Sequence, residues 1–300
     1  MSTFHLGGDK RTSLADAAAL VEDGAMVALG GGLCARLPMA LVREMVRQGR
    51  RGLHLVGSAH SIDVDLLVAA GAVGVCEESY VGFEQDLGLA PAFRRAAEAG
   101  TVEIRESCCA TVLAQLRAAE SGVPFLPVRG VKGTDIEALH PEYARVRCPF
   151  TGEELVVVPP LRPDVALLHA PMGDAHGNLH LEQPFVLDER FAHASAMAVA
   201  TVDRIVPTAE LTASGVVVPG HLVAAVAEVP YGAHPSSCYP GYAYDRAHLA
   251  GYLAAASGDD VESYLDTFVR VGEDTYRDLV DPARLGDWDG PVASWQELFR

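Results

Sequence analysis

The sequence predicts an α/β fold, an open and mainly parallel sheet with helices on both faces. Three observations carry this reading. From residue 11 to about 230, helix-like stretches alternate with short β-branched runs, the rhythm of a parallel sheet built by crossover helices. Most of those runs are apolar throughout, as in strands covered on both faces. The 300 residues, 49% hydrophobic and 21% charged with a mean hydropathy of +0.16, are enough to bury a core without disulfide or metal staples.

The elements follow in order. Ser13 and Asp16 read as a capping box opening a helix through Ala17, Leu20 and Val21, with Gly24 placed to end it. Residues Ala25 to Leu29 form a buried strand, and Gly30, Gly31 and Gly32 follow it. Pro38 suits a first helical position; Leu41, Val42, Met45 and Val46 share one face of that helix, and Gly49 is its C-terminal cap. Further strands are expected at Leu53–Val56, Val73–Cys76, Val102–Arg105, Phe125–Val128, Leu155–Val158, Val165–His169 and Ala196–Val202, with helices near 91–99 and 109–120. Glu120, Ser121 and Gly122 make the exit of the second of these helices. After Val229 a Gly/Pro/Tyr-rich loop leads to helical segments around 245–256, 260–270 and 274–280. The expected organisation is one α/β domain over residues 1–250 and a helical appendage over 251–300 that packs on it. No internal repeat or low-complexity tract interrupts the chain.

Composition excludes several roles. Lys and Arg number 23 against 40 Asp and Glu, a net charge of −17 that repels polyphosphate and anionic lipid, so neither nucleic acid nor membrane is an expected partner. The amino terminus lacks the apolar core of a signal peptide, and no segment approaches the roughly 18 uninterrupted apolar residues of a membrane span; a cytoplasmic location is expected. Six cysteines without a C-x-x-C spacing read as buried reduced thiols and not as a disulfide framework or zinc site.

Four places carry candidate chemistry. Gly30, Gly31 and Gly32 link a strand to a helix, so their N–H groups either approach a ligand oxygen or simply make a tight turn. Their spacing fits neither a dinucleotide fingerprint nor a P-loop. Arg129, Lys132, Gly133, Thr134 and Asp135 follow a strand at the carboxyl edge expected to bind ligands, and offer two cations and a hydroxyl for a carboxylate or phosphate; the alternative is a solvated surface loop. Glu106 lies just past another strand, where a carboxylate serves as base or nucleophile or merely leads into a helix. Ser58 lacks the G-x-S-x-G context of a hydrolase nucleophile and is expected only to line a pocket. His176 and His180 flank Gly177 and Asn178 in a turn joining two strands, not a metal pair.

These segments together resemble the alpha chain of family I coenzyme A transferases. The likeness spans roughly residues 10 to 250: the three glycines with Pro38, Tyr80 to Glu84 followed by Pro91 to Ala96, Pro124 to Arg129, Gly133 to Asp135, Cys148 to Glu153, Pro163 to Ala166, His176 to Asn178, and Pro230 to Pro235 with Cys238. The resemblance implies a fold related to ribose-phosphate isomerase and a heterodimeric or heterotetrameric assembly with a beta-type subunit. That subunit carries a glutamate which attacks the acyl-CoA and becomes a glutamyl-CoA thioester. No segment here matches that glutamate motif, so the nucleophile is expected on the partner, with this chain supplying Gly30, Gly31, Gly32, Ser58, Arg129, Gly133, Thr134 and Asp135 as substrate walls. Coenzyme A thioester is then substrate, and no permanently bound cofactor is implied.

A branch of the same family opens rings of cyclic-ketone CoA thioesters and uses a glutamate of the alpha chain after a strand-ending Val-Arg. Arg105 and Glu106 resemble that position, with Ile104 in place of Val. Two alternatives to transfer therefore stand: a CoA-thioester hydrolase or carbon–carbon bond-cleaving enzyme using Glu106 as base, and a non-catalytic CoA-binding subunit.

Overall fold

The structure is a computed structural model, described over residues 8–83, 87–183, 185–258 and 260–282. Glu84 of the Tyr80 to Glu84 motif and the appendage from residue 283 onward lie outside these residues. In chain order the elements are α1 (Leu14–Ala19), β1 (Met26–Leu29), α2 (Met39–Arg47), β2 (Leu53–Val56), β3 (Ala59–His60), α3 (Ile62–Ala69), β4 (Val73–Glu77) and β5 (Tyr80–Val81). There follow α4 (Pro91–Ala99), β6 (Glu103–Ile104), α5 (Cys109–Ser121), β7 (Leu126–Val128), α6 (Asp135–Leu139), β8 (Ala144–Arg147), β9 (Glu154–Val158), β10 (Val165–Gly173) and β11 (Leu179–His180). The last are α7 (Asp188–Ala194), β12 (Met197–Ile205), α8 (Thr208–Ser214), β13 (Val223–Glu228), α9 (Arg246–Ser257), α10 (Val261–Tyr264), a π-helical turn (Leu265–Val269) and α11 (Glu273–Val280).

Local chemistry explains the boundaries. The Ser13 hydroxyl oxygen accepts the Asp16 N–H and opens α1, which stops at Ala19, short of the predicted Val21; Gly24, at φ +75°, turns the chain into β1 instead. Pro38 is the N-cap of α2, one residue before the predicted position. Gly100 and Gly122 close α4 and α5 in left-handed conformation, which confirms the helix exit read at Glu120 to Gly122.

Seven strands form one parallel sheet in the order β13-β12-β10-β1-β2-β4-β6, and β11 adds antiparallel to β10. From β1 the chain winds outward through β2, β4 and β6, then returns to β10 on the other side of β1 and winds out again, so the order reverses between β1 and β10. Alternation within the strands feeds two cores. Val27, Leu29, Leu53, Leu55, Val165 and Leu167 pack under α2, α3 and α9, whereas Ala28, Val56, Ala166 and Leu168 pack under α5 and α7.

One sequence expectation is corrected here. The runs at 125–128 and 155–158 do not join the parallel sheet. As β7 and β9, with the unpredicted β8, they form a separate antiparallel sheet in the order β7-β9-β8. An apolar run of four residues has the same composition in either setting, so its partners were not written in it. The alanine-rich β13 was likewise missed. In the C-terminal part, α9 crosses residue 250 and places Leu249, Tyr252 and Ala256 in the same core as β1, while Arg43 of α2 pairs with Glu273 and lies 3.7 Å from the centroid of the Tyr276 ring.

Candidate functional site

The carboxyl ends of the adjacent strands β1, β2, β4 and β6 set four segments side by side: Gly30 to Gly32, Gly57 with Ser58, Glu78, and Arg105 with Glu106. The first is tightly wound. Gly31, Leu33 and Arg36 all have positive φ, at +73°, +52° and +50°, and two of them carry the Cβ that makes this conformation costly. The neighbouring 232–237 loop holds it in place: Arg36 N–H donates to Ser237 O, Leu37 N–H to Ser236 Oγ and Ala40 N–H to Gly232 O.

The three glycine N–H groups are spent inside the chain. Gly30 donates to Leu167 O at 2.8 Å, Gly32 to Ala35 O at 3.0 Å, and Gly31 to Asp188 Oδ1 at 2.9 Å. Asp188, the first residue of α7, also pairs with Arg36 at 3.1 Å, both side chains being 1% exposed. A buried ion pair of the chain's own thus fills the crevice between β1 and β10. The glycines act here as a turn that lets backbone and carboxylate approach closely.

Beside it lies a second buried charge cluster. His60 Nδ1 is 2.6 Å from Asp63 Oδ2, and Asp63 Oδ1 accepts the Ser61 N–H. Burial lowers the proton affinity of His60, but Asp63, Glu78 and the hydrogen bond to Asp63 outweigh it and raise its pKa to about 9. Glu78 is the reverse case: burial, with Asp63 and Glu77 nearby, pushes its carboxyl up to about 8 against the pull of His60. Neither Glu78 oxygen has a hydrogen-bond partner among the described residues. Ser58 is half-buried on the adjoining turn.

Glu106 is exposed at the end of β6 and forms no ion pair among the described residues. Its carbonyl accepts from His140 Nε2 at 2.7 Å, and His140 Nδ1 meets Glu142 at 2.7 Å; Arg105, Glu106, His140 and Glu142 line a recess of about 390 Å³. The 129–135 loop follows β7 and so leaves the antiparallel sheet, not the carboxyl edge of the parallel one as the sequence suggested. Its groups are exposed and locally satisfied. Arg129 pairs with Glu153 at 2.7 Å, Lys132 Nζ donates to Glu154 O, Gly133 N–H to Glu137 Oε2 and Thr134 Oγ1 to Val131 O, while Asp135 starts α6. The loop reaches the site through His140, just past α6, which touches Glu106.

At the other end of the carboxyl edge, Met172, Asp203, Arg204, Glu228, Tyr231 and Tyr242 line a cavity of about 470 Å³. Below it His169, Asp203 and Cys238 bring their donor atoms within 4.8 Å of one another, a spacing able to hold a metal. Asp203 Oδ1 already accepts the Tyr231 N–H at 2.7 Å, which ties it to the 230–242 loop, and it lies 3.3 Å from His169 Nε2, an atom with no hydrogen-bond partner among the described residues. The Asp174 to Asn178 turn joins β10 to β11 with Asp174 Oδ1 accepting the N–H groups of His176 and Asn178, as the sequence indicated.

Sequence reasoning missed Arg36, Asp188, His60, Asp63 and Glu78. Only Glu78 left a signal, a pair of acids directly after the apolar run Val73–Cys76, the same kind of position as Glu106.

A parallel sheet with its charged groups gathered at the carboxyl edge puts this protein among the open α/β folds, whose ligands generally bind at that edge. The coenzyme A transferase family model matches residues 11–229, and the chain belongs to that family. Similarity to the A-type subunit of 3-oxoadipate CoA-transferase from Pseudomonas knackmussii is 33% identity, covering 85% of this chain and 91% of the relative. A cholesterol ring-cleaving hydrolase IpdA subunit of Rhodococcus jostii is 30% identical over 91% and 96%. The structure of glutaconate coenzyme A-transferase from Acidaminococcus fermentans superposes with a TM-score of 0.87 at 29% identity, covering 92% and 94%. The chain spans 59% of the length of an uncharacterized Archaeoglobus fulgidus relative, 34% identical over 87% of this chain. The resemblance to the alpha chains of the family and the mainly parallel α/β fold expected from the sequence are thus both found.

Proposed function

We propose that this chain is the alpha half of a heteromeric enzyme that moves coenzyme A between an acyl-CoA thioester and a carboxylate acceptor, through a glutamyl-CoA thioester on a beta-type partner. The observation that supports it most is the match over residues 11–229 to the family, joined to likeness to a CoA-transferase alpha-type chain over nearly its whole length. In this reading Gly30 to Gly32 and Ser58 form one wall of the acyl site, and the 129–135 loop borders it through His140. Domain 1–250 carries that wall, the C-terminal segment buttresses it, and the complex works in the cytoplasm without a resident cofactor. The described residues contain no helix long and apolar enough to cross a membrane.

The chain's charges add a consequence. Coenzyme A is anionic and this chain carries −17. The N–H groups of Gly30 to Gly32 are spent, Arg129 is paired with Glu153, and Lys132 is bonded to Glu154 O. None of these groups is a free cation or donor, so in this reading the partner contributes cations that meet the thioester's phosphates.

The test uses the chain co-purified with its partner. Incubation with acyl-CoA and an acceptor carboxylate, followed by borohydride trapping and mass spectrometry, is expected to find a coenzyme A adduct or its reduced product on a partner glutamate. Acyl-CoA turnover without adduct or exchange would reject transfer.

A second reading has its own support: Glu106 stands unpaired at the end of β6, in a chain 30% identical to a ring-cleaving hydrolase subunit. There Glu106 is the base that activates water or takes a proton next to a carbonyl. Glu106→Ala then abolishes turnover with folding intact, since an exposed side chain contributes within about ±0.5 kcal/mol to stability; in the transfer reading it retains an active partner glutamate. Ligand binding without turnover by the complete complex would leave only a non-catalytic, coenzyme A-binding subunit.

A further inference from the structure

Glu78 follows β4 and lays its carboxyl group on Gly57, the first residue after β2: a methyl group built on Gly57 would collide with both carboxyl oxygens. The turn is tied to the same strand by Gly57 N–H donating to Glu77 O at 3.2 Å. Glu78 is only 8% exposed, and its two oxygens have no hydrogen-bond partner among the described residues. The other buried acids nearby are all served. Asp63 meets His60 and Ser61 N–H, Asp65 accepts from Tyr252 Oη and Phe93 N–H, and Asp188 accepts from Arg36 and Gly31 N–H. The charged groups facing Glu78 are His60, which ends β3, Asp63, in the first turn of α3, and Glu77, which ends β4; the single cation among them is held by Asp63. A carboxylate buried without a partner costs several kcal/mol, so the group resides there as the neutral acid.

We propose that Glu78 is a positioning residue: as an uncharged acid packed on Gly57 it fixes the turn that presents Ser58 at the carboxyl edge, and its ionisation displaces that turn. The proposal rests on reading this edge as the acyl site and adds to it a group that never touches substrate. Ionisation adds a negative charge to those of Asp63 and Glu77 and draws in water or a donor. The Gly57 to Glu77 hydrogen bond is the contact in the way.

Two measurements decide it. In the complex with the partner, wild-type turnover of acyl-CoA is expected to fall about tenfold between pH 7 and pH 9, the loss one ionisation near pH 8 produces. Glu78→Gln has the shape of the neutral acid, and is expected to match wild type at pH 7 and to lack that alkaline fall. Inactivity of Glu78→Gln at pH 7, or an alkaline limb unchanged by it, overturns the proposal. The second measurement needs no coenzyme A. In thermal unfolding of the full chain, Gly57→Ala is expected to lower Tm by several degrees in wild type and by much less in a Glu78→Ala background, because the colliding oxygens are gone; additive shifts would reject the packing. If the wild-type complex turns over no acyl-CoA at any pH, the reading of the site is what fails, and the unfolding cycle still decides the role of Glu78.

Discussion

The carboxyl edge at β1, β2 and β4 and the small β7-β9-β8 sheet use the same residue types, glycine, arginine and acid, in opposite ways. At the edge, Arg36 and Asp188 are 152 residues apart in sequence, 1% exposed, and joined to Gly31 by the same carboxylate. In the small sheet, Arg129 and Glu153 are 24 residues apart, and their side chains are 77% and 40% exposed. A charge pair in water gains little because solvent screens it, whereas a desolvated pair cannot lose one member without stranding the other. The two regions teach where a candidate residue is bound to the fold and where it is only held at the surface.

The sharpest way to break this contrast is Arg36→Ala, which strands the Asp188 carboxylate and is expected to cost about 3–5 kcal/mol in denaturant unfolding. A cost below that of a surface pair would dissolve the distinction. Next is Gly31→Ala against Gly133→Ala. Both glycines have φ near +75°, yet a methyl on Gly31 runs into the Ala35 carbonyl and Arg36 backbone, while nothing lies within 4 Å of one on Gly133. Gly133→Ala is expected to cost only the left-handed penalty of roughly 1–2 kcal/mol, and Gly31→Ala distinctly more. Equal losses would show the glycine turn to be as loose as the surface one.

Titration gives a third contrast. The His60 pKa is raised in the folded chain from its ordinary 6.5 to about 9, so its contribution to stability is complete below pH 6.5 and is lost as pH climbs through 9. Glu137 of α6, beside the small sheet, is shifted down, chiefly by its hydrogen bond from Arg145 of β8, and contributes above its ordinary range, with loss on acidification. Its partner Arg145 is half exposed, so solvent screens the pair and it moves stability little. Unfolding midpoints from pH 6 to 9.5 are expected to fall for wild type and to fall less in His60→Asn, where the raised Glu78 carboxyl still titrates. The smallest effect is Arg129→Ala, under about 1 kcal/mol and weaker still in high salt.

Much of the fold was legible because local rules wrote it. Leu53–Val56 was bounded to the residue, and the helices expected near 91–99 and 109–120 are found at Pro91–Ala99 and Cys109–Ser121, closed by Gly100 and Gly122. The site was legible only in outline. Gly30, Ser58 and Glu106 were located because each follows a strand. The 129–135 loop was assigned to the wrong sheet because Leu126–Val128 carries no mark of which neighbour it pairs with. Arg36 and Asp188 were invisible, since no pattern in the chain links residues 152 positions apart.

What the sequence determined by itself is whatever depends on neighbours along the chain: the alternation of strand and helix, the caps, the turn at Asp174 to Asn178, and the motifs that mark the family. Only the tertiary structure decided which acids are charged and which donors remain for a ligand. The glycine N–H groups open in the sequence are closed by Leu167 O, Asp188 and Ala35 O, and Glu78, one of 40 acids by composition, is set apart by burial against Gly57. Proton affinity and hydrogen-bond capacity are properties of surroundings, and those are assembled from segments that meet only when the sheet forms.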